Sequence, residues 1–90
     1  MTRLHVLATG LVQGVGFRWF VRESARRLDL AGWVLNRPDG AVEVMAEGEA
    51  AGVAALRAAV SEGPAGARVD GIQELPDNGE PLPRPFGVRR

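Results

Sequence analysis

Gly10-Leu11-Val12-Gln13-Gly14-Val15-Gly16-Phe17-Arg18 carries an apolar, alternating segment through a glycine loop into a segment of helical periodicity that begins at an arginine. A strand feeding a helix through such a loop opens a βαβ-type fold and decides how the rest of the chain is read. The same stretch outlines an anion site. Glycine admits φ > 0 and close approach of a ligand to the main chain, so successive N–H groups can turn toward one point. The first N–H groups of a helix lack intrahelical partners and sit at the positive end of its macrodipole. Both features favour a phosphate or a carboxylate. Arg18 adds a full charge and a planar fork of donors able to hold two oxygens of one phosphoryl group, a geometry lysine does not match.

Taken alone, the glycines are a weak signal. A Walker loop ends in Gly-Lys-Ser/Thr, whereas this chain has no lysine, and the dinucleotide fingerprint needs another spacing and a longer domain. In isolation the stretch reads equally as a plain turn with Arg18 solvated.

Ninety residues allow a single two-layer core. Eleven arginines balance eleven acids, so overall charge argues for neither nucleic acid nor an acidic partner. Absence of cysteine removes disulfides, thiolate chemistry and cysteine-ligated metals. His5, the sole histidine, sits in an alternating strand and reads as a surface or packing residue; no second histidine can complete a metal site. No apolar run approaches the roughly 20 residues of a membrane span, and the N-terminus has no signal-peptide pattern. The expectation is a cytoplasmic protein with no membrane partner.

Leu4, Val6 and Ala8 alternate in a first strand ending at Gly10, and Phe17, Phe20, Val21, Ser24 and Leu28 mark an amphipathic helix. Ser24 lies on its apolar stripe, which predicts a buried hydroxyl bonded back to the helix and not a nucleophile. Leu30 to Asn36 and Ala41 to Glu47 read as a hairpin closed by Pro38-Asp39-Gly40, with Asn36 near the tip. An alanine-rich helix follows from Glu49 to Val60, weakened by Gly52 and closed by Gly63-Pro64. Arg68 to Leu75 is a fourth strand with alternation broken around Gly71. Four prolines make Pro76 to Pro85 an irregular loop before a short edge strand at Phe86 and Val88. This order predicts an α+β fold: a ferredoxin-like split βαβ sandwich, one antiparallel sheet with two helices on one face.

Gly10 to Arg18, followed by Gly32-Trp33-Val34-Leu35-Asn36-Arg37-Pro38-Asp39-Gly40-Ala41-Val42 and later Gly48, strongly resembles both signature segments of the acylphosphatases. Residues 1–90 are accordingly identified as one acylphosphatase-like domain. The resemblance implies hydrolysis of the carboxyl–phosphate bond of a small acyl phosphate, releasing inorganic phosphate, with no metal and no organic cofactor. It assigns phosphate binding to Gln13, Gly14, Val15, Gly16, Phe17 and Arg18, and catalysis to Arg18 and Asn36. Departures are few. Leu35 stands where the family more often has a polar or basic residue, and Asp29 where a glycine often ends the first helix; aspartate tolerates the left-handed conformation. The terminal strand matches only loosely.

Such chemistry suits a chain poor in acid–base groups. The conjugate acid of a carboxylate leaving group has a pKa of about 4, so it departs unprotonated and no general acid is required. Three other readings compete. A non-catalytic anion-binding or regulatory module would have little use for both Arg18 and Asn36. A domain within a larger assembly fits a chain ending at Arg90 less well than a free, monomeric enzyme. RNA binding on the open sheet face would want stacking aromatics that strands one and three lack, so no nucleic-acid partner is expected.

Overall fold

The computed structural model describes residues 1–90. In chain order the elements are β1 (Thr2–Leu11), α1 (Phe17–Arg27), β2 (Ala31–Asn36), β3 (Val42–Gly48), α2 (Ala50–Glu62), β4 (Arg68–Glu74) and β5 (Gly87–Val88). One sheet runs β4-β1-β3-β2-β5, and its first four strands are antiparallel to their neighbours. This is the expected ferredoxin-like arrangement with one amendment. β5 runs parallel to β2, pairing Trp33 with Gly87 and Val34 with Val88, so the sheet is mixed.

Strand parity separates the two faces. Leu4, Val6 and Ala8 of β1, Val34 of β2, and Val42, Val44 and Ala46 of β3 meet Phe17, Val21 and Ala25 of α1 and Val53, Leu56 and Val60 of α2. Asn36 shares the parity of Val34 and therefore projects on the helix side, at the end of β2. α1 ends in a left-handed Asp29 with φ 56°. Asp29 N–H donates to Arg26 O and Leu30 N–H to Ala25 O, the paired bonds of a Schellman cap. Gly52 is tolerated in α2 because the helix passes close to its neighbour there: a Cβ would sit 3.3 Å from both Leu28 O and Leu30 Cδ2. Close packing thus offsets the roughly 1 kcal/mol helical cost of glycine.

Two sequence expectations change. β1 does not stop at Gly10 but runs to Leu11, and pairing with β4 shifts between Thr9 and Gly10. Gly10 belongs to a bulge and not to the loop; a Cβ on it would lie 2.3 Å from Arg68 O. The bulge leaves Asp70 as the extra residue on β4 and turns both Val69 and Ile72 toward the core, which accounts for the broken alternation. Ser24 is buried as expected, but its hydroxyl makes no bond back to the helix, unlike Ser61, which donates to Arg57 O.

The other face of the sheet is covered as well. β4 and β5 occupy opposite edges, so the proline-rich segment between them crosses the whole sheet. Met45, Trp33 and Leu7 are buried on that face. Gly32 N–H donates to Pro83 O, Trp33 Nε1 to Glu80 Oε1, and Arg3 bonds Asp77, Glu47 and the carbonyl of Glu80. His5 is a packing residue there, its ring nitrogens bonded to Pro76 O and the Glu43 carboxylate. Phe86 then passes into the helix-side core, fully buried, a burial worth about 2 kcal/mol. No helix is long and apolar enough to cross a membrane.

Candidate active site

β1, β2 and β5 all finish at the end of the sheet where α1 begins. The link from β1 to α1 turns on Gly14 and Gly16, at φ 75° and 76°. Nothing lies within 4 Å of where a Cβ would stand on either. Glycine is needed here for the sign of φ, and the main chain it uncovers faces open space. Gly16 is the N-cap of α1 and provides no side-chain cap, and the first turn contains no acid. The first loop-to-helix bond is Phe20 N–H to Gly16 O; no N–H from Gln13 to Trp19 finds an acceptor in the protein. An ordinary Ser, Asp or Asn cap would stabilise this end by about 1 kcal/mol. Its absence leaves a cluster of donors at the positive end of a helix.

Asn36 stands across from this loop. The hairpin turn is closed without it: Arg37 N–H donates to Ala41 O, Gly40 N–H to Arg37 O and Ala41 N–H to Asp39 Oδ1. The Ala41 N–H, with Arg37 beside it, holds the Asp39 carboxyl below its usual range. A hairpin-tip asparagine would be expected to bond its own backbone. Instead Asn36 Oδ1 is buried with no hydrogen-bond partner. Leaving such an oxygen unpaired costs about 1–3 kcal/mol.

A cleft of about 310 Å³ brings these groups together. Gly14, Gly16, Phe17, Arg18 and Asn36 line it with Val12, Trp19, Arg22, Val88 and Arg90. Three of its walls are arginines and none is an acid. Arg18 takes part in none of the ion pairs of the protein. Two side chains of the expected phosphate loop turn away from the cleft, while their N–H groups stay among the open donors. Gln13 directs its amide at the hairpin, donating to Arg37 O at 2.8 Å and Ala41 O at 2.9 Å, and so ties the loop to the strand carrying Asn36. Val15 packs against the core. Sequence reasoning missed Arg22, although its spacing of four from Arg18 puts both on one helix face. It also missed Trp19, Val88 and Arg90; the last two arrive through the parallel pairing of β5, which has no local signature.

No group of three or more His, Cys, Asp or Glu side chains is disposed to hold a metal ion. At the strand–loop–helix corner of a ferredoxin-like sheet, then, free amides, an unpaired arginine and an orphaned amide oxygen come together. Comparison with known proteins supplies the family. The acylphosphatase family model matches residues 4–85, and the chain belongs to the acylphosphatase family. It is 44% identical over 91 residues to an acylphosphatase of Nitratidesulfovibrio vulgaris, covering 99% of this chain and 91% of that one. A crystal structure of acylphosphatase from Bacillus subtilis superposes with a TM-score of 0.86 at 35% identity over the full length of both chains. Full-length HypF in its phosphate- and nucleotide-bound form also contains the fold, with a TM-score of 0.78 and 29% identity, but the chain spans only 12% of that protein.

Proposed function

We propose that the protein is an acylphosphatase that hydrolyses the carboxyl–phosphate bond of small acyl phosphates by in-line attack of water, without metal or cofactor. Arg18 and the loop amides receive the phosphoryl oxygens, and their preorganised positive field is matched to the charge that develops on them. Asn36 accepts from the attacking water through Oδ1 and donates to a phosphoryl oxygen through its amide, which orients the water without acting as a strong base. The new bond joins water oxygen to phosphorus as the phosphorus–acyl oxygen bond breaks. The acyl group leaves as carboxylate, and the water's proton passes to the phosphoryl group, giving dihydrogen phosphate.

The observation that carries this reading is that Asn36 and Arg18 line one cleft free of acids beside the open loop amides, with the Asn36 side-chain oxygen committed to no donor of the protein. Hydrolysis of benzoyl phosphate by purified protein, with chelator present, tests it. Turnover should survive the chelator, fall in kcat with little change of KM in Asn36→Ala, and be damaged in both constants in Arg18→Ala. Full turnover in Asn36→Ala would refute the water-positioning role. A folded, inactive wild type that still binds phosphate would leave only an anion-binding module.

A further inference from the structure

A second hollow lies beyond Trp19. With a volume of about 520 Å³, it opens between the loop, α1 and the turn after α2, lined by Val15, Trp19, Phe20 and Pro64 with Glu23 and Arg27. Gly16 and Trp19 border both spaces and so stand between them. The two differ in character. One gathers arginines without an acid; the other is an apolar surface whose single acid and single base have opposite signs. Trp19 is 59% exposed, unlike the buried Trp33. It is nevertheless held in place: the Arg22 guanidinium lies 4.4 Å from the centre of its ring and is itself bonded to Glu23 at 3.1 Å. An indole left in solvent but fixed on one side is a ready-made wall for a flat apolar group.

In-line displacement decides where the rest of the substrate lies. Water and leaving oxygen must stand on opposite sides of phosphorus. Asn36, backed by β5 with Val88, forms one side of the cleft, and Gly16 with Trp19 lies on the side shared with the second hollow. A water held at Asn36 therefore sends the acyl group away from β2 and across Trp19. We infer that the hollow formed by Val15, Trp19, Phe20 and Pro64 is the acyl-group subsite, and that it selects acyl phosphates carrying an apolar, aromatic acyl group. This rests on the in-line reading given above.

The test compares benzoyl, acetyl and succinyl phosphates as substrates of the wild type, Trp19→Ala and Trp19→Phe, with inhibition by inorganic phosphate measured alongside. The wild type should favour benzoyl over acetyl phosphate at least about tenfold in kcat/KM, chiefly through KM. Trp19→Ala, which keeps the backbone N–H, should cut that ratio about tenfold, and Trp19→Phe should restore most of it. Phosphate inhibition should change much less than the benzoyl-to-acetyl ratio, since phosphate alone does not reach the hollow. A benzoyl-to-acetyl ratio unmoved by Trp19→Ala overturns the subsite. So does a preference for succinyl over benzoyl phosphate, which would place the acyl group against Arg22 and Arg90 instead. A wild type that binds phosphate but cleaves none of the three substrates refutes the hydrolase reading, and the subsite falls with it.

Discussion

The loop from Val12 to Gly16 and the segment from Leu75 to Pro85 are both irregular connections built on glycine or proline, yet they treat their polar groups in opposite ways. Across the sheet, Arg3, His5, Gly32 and Trp33 all find partners in the proline-rich segment or beside it. Gly79 and Glu80 donate their N–H groups to Asp77 and Asn78 side chains, so this segment satisfies its own turn. At the end of the sheet the amides from Gln13 to Trp19, the arginine and the Asn36 oxygen are left without protein partners. Satisfied polar groups fix a structure, whereas unsatisfied ones grouped in one place mark where a ligand will complete it. On the proposed reading, stability falls to one region and chemistry to the other.

The most severe challenge to that division is Arg18→Ala. It should lower kcat/KM by about a thousandfold or more, because a preorganised donor to a phosphoryl group is lost, while Tm, followed by circular dichroism, stays close to that of the wild type. Trp33→Ala should do the reverse. Removing a buried indole costs about 3 kcal/mol or more in a urea titration, and kcat per folded molecule should hold. Asn36→Ala comes next: a drop in kcat of about a hundredfold, with a urea midpoint that does not fall, since a buried oxygen lacking a partner disappears with the side chain. A marked loss of stability in that variant would show that Asn36 holds the hairpin together.

The smallest effect concerns pH. The Gly79 N–H first, and Arg3 after it, hold the Asp77 carboxyl below its ordinary value of 3.8. A carboxyl lowered in the folded state stabilises fully above its unfolded pKa and ceases to as pH falls through the folded one. Tm should therefore decline below about pH 4, and Asp77→Asn should flatten part of that slope. The variant should leave kcat alone, because the segment lies on the face of the sheet away from the cleft.

Much of this was legible from residue order. Alternation marked the strands, helical spacing marked α1, and Pro38-Asp39-Gly40 marked the hairpin, because each signal is local. The candidate site was legible through the two signature segments, which the structure brings to one cleft at Arg18 and Asn36. What escaped depended on distant parts of the chain. Nothing near Gly10 announces that Arg68 passes 2.3 Å from a Cβ there. Nothing in the prolines says that they roof Met45 and Trp33. The resemblance placed Gln13 in the phosphate loop through its backbone; only the meeting of loop and hairpin shows its side-chain amide bridging two carbonyls.

The position of β1 has a consequence for how the molecule comes to exist. Its two partners in the sheet, β3 and β4, both lie later in the chain, and Thr9 and Gly71, bonded across β1 and β4, are 62 positions apart. Closing so long a loop must come before the contacts that reward it, which slows folding relative to a helical bundle of the same size. During synthesis β1 can pair with β3 first, but its other edge stays open until β4 has been released. The strand that carries the anion loop is therefore completed late, and phosphate should bind only after the last long-range pairing has formed.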